Sequence, residues 1–239
     1  QSGARFLWLD IYNDSLGEFA NAVISNGIEK GNWKLTFNVE TFDKICKTIK
    51  ETAFSSGNVD NPDDPIFLAL NLKTNNNIVT LNRMQKTIYK YFRDNLLGPE
   101  FSYMRGDVPN IPIKKLMKKV VIFSSAGAEG SNLEEIINYS WDNDENNIRV
   151  IDYKSLDKTL TSVDAIKLNP NDVYEYNKTG LTIVIPEESG FFTRNYNPDP
   201  YLKSGCQFIC MNYQNIDDDM NKYITSYRYS SFKLKTRQR

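Results

Sequence analysis

Residues 65–70 have the sequence Pro65-Ile66-Phe67-Leu68-Ala69-Leu70, and this stretch decides the fold class. Five consecutive apolar residues leave no polar face, which is typical of a strand that is covered on both sides of a sheet. Residues 6–11, which are apolar until Asp10, and residues 120–123 have the same character, and stretches with helical spacing of apolar residues lie between them. This alternation favours βαβ units around a parallel sheet. The sequence therefore predicts an α/β fold, and a barrel suits a chain of this length.

The composition of the 239 residues is that of an ordinary globular protein, with 40% hydrophobic and 25% charged residues. The net charge of −1 gives no overall field that would attract nucleic acid or an anionic membrane, so no nucleic-acid partner is expected. No segment approaches the ~20 apolar residues of a membrane span, and the first residues lack the regions of a signal peptide. These features predict a cytoplasmic or other intracellular protein.

The chain contains no histidine. Imidazole is the usual general base near pH 7 and a common metal ligand, so this chain alone cannot form Ser-His, Cys-His or His-metal sites. Its three cysteines are Cys46, Cys206 and Cys210. An odd number in a long chain does not form a disulfide framework, and we expect free thiols that are mostly buried.

Two amphipathic helices are predicted in the first half of the chain. Asn38 is expected to cap the first, in which the apolar side chains from Phe42 to Ala53 form one stripe. The second should end near Gly98. Residues 141–147 are polar and acidic, and this stretch is a candidate linker. A calcium-binding loop is the alternative, but the stretch lacks the ligand spacing and the central glycine of an EF-hand. Strands are predicted at 148–151, 181–185 and 206–213.

Three short motifs in the second half carry a family resemblance. They are Arg194-Asn195-Tyr196-Asn197-Pro198, Gly205-Cys206-Gln207 and Asn212-Tyr213-Gln214. Together they resemble the signature of the Y region of eukaryotic phosphoinositide-specific phospholipase C. The segments 133–139 and 231–235 resemble the opening and the end of that region. We expect mainly architectural roles, with Pro198 in a turn, Gly205 at a close backbone approach, and Gln207 hydrogen-bonded across the barrel end.

The first half resembles the X region of the same family more weakly, at residues 6–10 and 65–72. The resemblance implies a single distorted (β/α)8 TIM-type barrel over residues 1–239. Residues 1–125 would form the X-like half, 126–147 a linker and 148–239 the Y-like half. The barrel would lack its first strand at the N-terminus, because the family's first strand precedes Phe6.

The resemblance also implies where catalytic and metal-binding residues should lie. One of the family's two catalytic histidines falls on Asn26, and the other would precede Gln1. An amide cannot act as acid or base near neutrality. Two calcium-binding glutamates fall on Trp8 and Asn71, which leaves Asp10 as the residual candidate ligand. We expect no catalytic residue and no bound metal.

The positions that would bind the substrate phosphates have changed in the same way. Two lysines of the family fall on Phe123 and Ser125, an arginine falls near Ile183, and Ile185 takes a tyrosine position. None of these replacements provides the charge or the paired hydrogen bonds that clamp a phosphate. The sequence thus predicts a catalytically inactive phospholipase C-like domain that serves as a structural or binding module, with a protein as the expected partner. A virion or assembly component is one concrete form of this role.

Three other functions are compatible with parts of the sequence. Weak contact with a membrane or with phosphoinositide would use two basic clusters; these are Lys114, Lys115, Lys118 and Lys119, and Lys233, Lys235, Arg237 and Arg239. An active phosphodiesterase would need calcium and an upstream histidine, with a carboxylate such as that of Asp10 as base. A nucleotide-binding α/β protein would rely on residues 127–130, which lack the spacing of a phosphate-binding fingerprint.

Overall fold

The computed structural model describes residues 2–15, 17–30, 33–105, 111–156, 167–186 and 194–235. The described helices and strands, in chain order, are β1 (Phe6–Asn13), β2 (Ala22–Lys30), β3 (Trp33–Thr41), α1 (Phe42–Thr52), β4 (Ile66–Leu72), α2 (Ile78–Phe92), β5 (Val120–Ser124), β6 (Tyr139–Ser140), β7 (Ile148–Asp152), α3 (Pro170–Tyr176), β8 (Leu181–Ile185), α4 (Asp199–Lys203), β9 (Phe208–Ile209) and α5 (Asp218–Tyr227).

The strands form two sheets, with the order β3-β2-β1-β4-β5-β6 in one and β7-β8-β9 in the other. The pairs β1–β4, β4–β5, β5–β6, β7–β8 and β8–β9 are parallel, as the apolar stretches predict. A register in which Phe6 lies beside Phe67 and Ile66 beside Val120 aligns the carboxyl ends of β1, β4 and β5. Candidate functional residues near the ends of these strands therefore lie on one side of the fold.

An antiparallel hairpin of β2 and β3 extends the edge of the first sheet. The prediction of Asn38 as a helix cap is wrong, because Asn38 lies within β3 opposite Asn26. The cap of α1 is Thr41, whose side chain accepts a hydrogen bond from the Lys44 N–H. The predicted apolar stripe is confirmed, since Phe42, Cys46 and Ile49 are buried. Helix α2 ends at Phe92, before the predicted stop near Gly98.

Two layers of side chains cover the opposite faces of the first sheet. The outer layer joins alternate strand residues such as Leu68 and Ile122 to Cys46 of α1 and to Leu81 and Ile88 of α2. The inner layer comes from both sheets, and it includes Phe67, Phe123, Ile183 and the half-buried Phe208. Because the inner faces of both sheets share one apolar cluster, the strands enclose a common interior.

The predicted linker at residues 126–147 contributes to the packing. Leu133 and Ile137 are buried in the outer layer, and Tyr139 of β6 is buried in the interior. The division of the chain into an X-like and a Y-like half stays a prediction. The prediction of free thiols is confirmed, because Cys46 and Cys206 are buried and Cys210 is half-buried, with no disulfide.

Candidate functional site

The candidate metal and catalytic positions on β1 and β4 lie together in the structure. Trp8 and Asp10 are two residues apart on β1 and share its inner face, and Asn71 is the neighbour of Asp10 on β4. The Trp8 indole Nε1 donates a hydrogen bond to Asp10 Oδ1 at 3.0 Å, and the Asn71 Nδ2 donates to the same oxygen at 2.7 Å. Two uncharged donors thus bind the single carboxylate that remains from the implied ligand set.

The indole of Trp8 is also held by a second tryptophan. The rings of Trp8 and Trp141 are stacked, with centroids 4.9 Å apart and an angle of 23° between their planes. Trp141 directly follows β6 and belongs to the stretch 141–147 that is predicted as a polar linker rather than as part of the site. A tryptophan at the start of seven otherwise polar residues was the signal that could have identified it. The stacked pair places two large apolar rings beside the Asp10 carboxylate.

The residues at these positions do not fit the calcium ion that the resemblance implies. Calcium takes six to eight oxygen ligands, several of them from carboxylates. Here one carboxylate is present, and Asn71 presents its N–H group rather than its oxygen to it. Within the described parts of the chain, no three His, Cys, Asp or Glu side chains are grouped so that they could hold a metal ion.

The candidate phosphate-binding positions belong to the interior cluster or to the strand ends. Phe123 and Ile183 are fully buried in the interior, and Ile185 is half-buried there. The Phe123 ring stacks on that of Tyr139 at 4.7 Å. The Ser125 hydroxyl accepts a hydrogen bond from the Leu72 N–H at 2.8 Å and so ties the end of β5 to the end of β4. The apolar side chains at these positions thus pack in the interior, and the Ser125 side chain joins two strands.

The structure places Asn26 on β2, where its backbone pairs with that of Asn38. Its side chain lies outside the described residues. Of the eight candidate positions, the structure therefore describes seven side chains. Those of Trp8, Asp10 and Asn71 meet in one hydrogen-bonded group, and those of Phe123, Ile183 and Ile185 share the interior cluster with Trp8.

The motif residue Asn195 joins two of the three motifs through hydrogen bonds. Its Oδ1 accepts from the Asn212 N–H at 2.6 Å, and its Nδ2 donates to the Asn215 carbonyl at 2.7 Å. Next to it, the Tyr196 hydroxyl donates to the Cys210 carbonyl at 2.5 Å. These three bonds connect the segment before α4 to the residues that follow β9, so this motif has the architectural role that we expected.

The other motif residues also shape the backbone. Pro198 precedes α4 and accepts its first backbone hydrogen bonds, from Tyr201 and Leu202. Gln207 donates to the Gly180 carbonyl at 2.8 Å and accepts from Thr182, across the start of β8. The reason that we predicted for Gly205 is wrong. A Cβ there would meet its nearest neighbour at 3.5 Å, an ordinary contact, whereas its φ of +69° is a conformation that favours glycine.

The Asp217 carboxylate connects Asn195 to α5. Removal of this carboxylate should therefore lower the stability of the fold. Asp217 caps α5 by accepting from the Met220 N–H at 3.0 Å, and it also accepts from the Asn195 N–H at 2.9 Å. Burial acts to raise the pKa of Asp217, but these hydrogen bonds outweigh it and lower the pKa from its ordinary value. A lowered pKa means that the charged group stabilises the fold above its unfolded pKa and stops doing so as the pH falls through the folded one.

We therefore expect Asp217→Ala to lower the free energy of unfolding by about 1 kcal/mol at pH 7. The difference between the two proteins should begin to narrow below about pH 4, the ordinary pKa of an aspartate, and should disappear as the pH falls through the lowered pKa of the folded carboxylate. Urea unfolding of the two proteins, followed by circular dichroism at pH 7 and at several values below pH 4, measures this difference. Asp218→Ala is the control, because Asp218 is an exposed acid of the same helix turn. Equal losses in the two variants would contradict the capping role.

The basic clusters are only partly available as a surface. Lys114 and Lys115 are exposed on a short 3-10 turn. Lys118 pairs with Asp63 at 3.1 Å, and Lys119 donates to the Leu96 carbonyl at 3.2 Å. Of the second cluster, Lys235 donates to the Asn177 carbonyl. Arg237 and Arg239 lie outside the described residues. No described helix has the length and apolar composition needed to cross a membrane.

Solved structures similar to this chain confirm its fold class. The crystal structure of PLC21 from S. officinalis covers 98% of this chain at a TM-score of 0.73 and 20% identity. That of PLC21 from L. pealei covers 96% at a TM-score of 0.70. The chain corresponds to 33% and 32% of those proteins. The α/β fold of the phospholipase C barrel type is thus confirmed, while the described strands form two sheets rather than one closed ring.

Curated relatives match the chain over a shorter length. The 1-phosphatidylinositol 4,5-bisphosphate phosphodiesterase classes I and II of Drosophila melanogaster is 26% identical over 109 residues, which are 43% of this chain and 8% of that protein. Such a match spans only a small part of the relative's length. The family model of the phosphatidylinositol-specific phospholipase C Y domain matches residues 131–232, which include all three motifs. The resemblance of this chain to eukaryotic phosphoinositide-specific phospholipase C is therefore confirmed, and its residues 131–232 correspond to the Y domain.

Proposed function

We propose that this phospholipase C-like domain is catalytically inactive and acts inside the cell as a structural or binding module. The observation that carries the proposal is the Asp10 carboxylate, which is bound by the Trp8 indole and the Asn71 amide and lies beside the Trp8–Trp141 stack. Cleavage of a phosphodiester needs a group that moves a proton and a positive charge that stabilises the transition state. The chain has no histidine, and the described residues at the implied positions are apolar or uncharged except for Asp10.

The proposal predicts no turnover of the substrate on which the curated relatives act. We expect the 239-residue chain to release no inositol phosphate from vesicles that contain phosphatidylinositol 4,5-bisphosphate, with or without millimolar calcium. The vesicles without protein give the background, and a purified active phospholipase C gives the positive control. Release of inositol phosphate that depends on calcium and is lost in Asp10→Asn would contradict the proposal.

A further inference from the structure

Two basic segments that lie far apart in the sequence meet at one end of the fold. The first is residues 111–119, directly before β5, and its last carbonyl accepts a hydrogen bond from the Ile66 N–H at the start of β4. The second is residues 228–235, after α5, and the centroid of its Phe232 ring lies 6.1 Å from that of Phe67, the second residue of β4. Both segments therefore lie at the amino ends of the parallel strands. The candidate site lies at their carboxyl ends.

Contacts with the rest of the fold hold both segments against this end. Leu116 of the first segment is buried in the interior cluster, and the half-buried Phe232 of the second packs against the same cluster. The Asn61 side chain, in the loop before β4, donates to the Tyr229 carbonyl at 3.2 Å. Most residues around these anchors are exposed to solvent, so the two segments form a surface.

This surface is basic, although the net charge of the chain is −1. The two segments contain no acid, and their cations are Lys114, Lys115, Lys118, Lys119, Arg228, Lys233 and Lys235. The Asp63 carboxylate pairs with Lys118. Lys119 and Lys235 donate to carbonyl groups, which leaves their charge in place. Three other acids, Asp60, Asp64 and Asp94, lie near this end, so cations remain in excess and create a local positive potential.

Large apolar side chains are exposed between these cations. Ile113 and Met117 of the first segment are 42% and 38% exposed, and Tyr229 and Leu234 of the second are 74% and 98% exposed. An anionic bilayer attracts Lys and Arg electrostatically, and apolar side chains add binding energy by entering the boundary between headgroups and acyl chains. A soluble polyanion would use the charges but would leave the apolar groups in water. The composition of this surface therefore favours a membrane.

We infer that the amino end of the strands binds an anionic lipid surface through residues 111–119 and 228–235. The inference rests on the proposed binding function and names its partner by chemistry. β4 has seven residues, and a strand rises about 3.3 Å per residue, so the candidate site at the other end lies roughly 20 Å from this surface. A domain bound in this way turns the Asp10 group away from the membrane. An enzyme that cleaves a membrane lipid has to present its site to the membrane, so this orientation suits a domain that only binds.

Charge reversal tests the lysines of the first segment against a matched pair elsewhere. Lys114→Glu/Lys115→Glu replaces two exposed cations of the surface. The control is Lys47→Glu/Lys86→Glu, which makes the same change of charge about halfway along α1 and α2, where both lysines are exposed. Circular dichroism and the melting temperature of each variant show that it folds.

Sedimentation with sucrose-loaded vesicles measures the binding of the 239-residue chain. We expect binding to vesicles of phosphatidylcholine and phosphatidylserine, and none to vesicles of phosphatidylcholine alone. The apparent affinity should fall at least tenfold in Lys114→Glu/Lys115→Glu and stay within threefold of wild type in the control. Binding should also weaken as the salt concentration rises, because salt screens the charges. No saturable binding to the anionic vesicles, or an equal loss in the two variants, would overturn the inference.

A second pair of variants tests which end of the fold faces the membrane. Leu234 is exposed at the amino end, and Phe19 is 80% exposed in the 3-10 turn after β1, at the carboxyl end. Tryptophan is introduced at each position, and lipids with brominated acyl chains quench a tryptophan that enters the bilayer. We expect the added fluorescence of Leu234→Trp to be quenched and that of Phe19→Trp to be unchanged. The reverse result would overturn the inference, because the candidate site would then face the membrane.

A soluble acidic partner gives a different outcome. A fluorescein-labelled oligoglutamate peptide that binds the chain as tightly as the anionic vesicles do would overturn the inference, because the partner would then be an acidic protein segment. The vesicles contain no phosphoinositide, so a failure to bind them leaves the proposed inactivity untouched. Equally, cleavage of phosphatidylinositol 4,5-bisphosphate would contradict the proposed function without deciding which end of the fold binds lipid.

Discussion

Phe123→Ala should lower the free energy of unfolding by about 3–5 kcal/mol, the largest effect that we expect from a single truncation. Phe123 is fully buried at the centre of the interior. Its ring contacts four other aromatic rings from both sheets; these are Phe6, Phe67, Tyr139 and Phe208, with centroids between 4.7 and 5.9 Å away. Truncation removes these contacts and leaves a cavity that rigid neighbouring strands cannot fill.

Urea unfolding followed by tryptophan fluorescence measures this effect. The control is Phe19→Ala, because Phe19 is 80% exposed and its removal should change the free energy of unfolding by no more than about 0.5 kcal/mol. A loss below about 1 kcal/mol for Phe123→Ala would mean that the interior is not packed as the structure has it. The result also bears on function, since Phe123 occupies a position where the resemblance implies a phosphate-binding lysine. A large loss would identify the phenylalanine as part of the core that now fills this position.

Four of the parallel strands could be predicted because their residues are mostly apolar. Residues 66–70 and 120–123 are entirely apolar, residues 148–151 and 181–185 each contain one polar residue, Arg149 and Thr182, and all four stretches lie in strands. The hairpin strand β3 could not be predicted in this way. Its residues Trp33–Thr41 alternate polar and apolar side chains, and Asn38 resembles a helix cap when only the following stripe is considered. Pairing with β2, which is a tertiary interaction, decides its conformation.

The last predicted strand is longer in the prediction than in the structure. The stretch 206–213, which is apolar apart from Gln207 and Asn212, predicts eight residues of strand, but β9 contains only Phe208–Ile209. Strand length depends on a partner, and β9 has only β8 beside it among the described residues. Past Ile209 the backbone N–H of Asn212 binds the side chain of Asn195 instead of a neighbouring strand.

The candidate site was predictable in part. The resemblance placed Trp8, Asp10 and Asn71 at one site, and the pairing of β1 with β4 brings them together. It gave no reason to expect Trp141, because stacking on Trp8 follows from where β6 places the chain and not from the residue's polar neighbours.

Asn195→Ala should lower the free energy of unfolding by about 3 kcal/mol. Asn195 is 8% exposed, and its side chain binds the Asn212 N–H and the carbonyls of Asn212 and Asn215. These backbone groups belong to a turn that leads from β9 to α5. Removal of a buried hydrogen-bonding side chain costs about 1–3 kcal/mol for each group that is left without this partner. At about 1 kcal/mol for each of the three backbone groups, the lower end of that range, the sum is about 3 kcal/mol.

The neighbouring motif residue Asn197 provides the matched control. Asn197 is exposed, and its Oδ1 accepts one hydrogen bond, from the Asp199 N–H at 3.1 Å. Asn197→Ala should therefore cost about 1 kcal/mol or less. Thermal and urea unfolding of the two variants compares them directly. Equal effects would mean that the motif does not hold the turn after β9. A threefold difference would show that Asn195 holds the turn between β9 and α5 through its bonds to the Asn212 N–H and the Asn215 carbonyl, and that the motif's first asparagine therefore acts on the architecture of the fold.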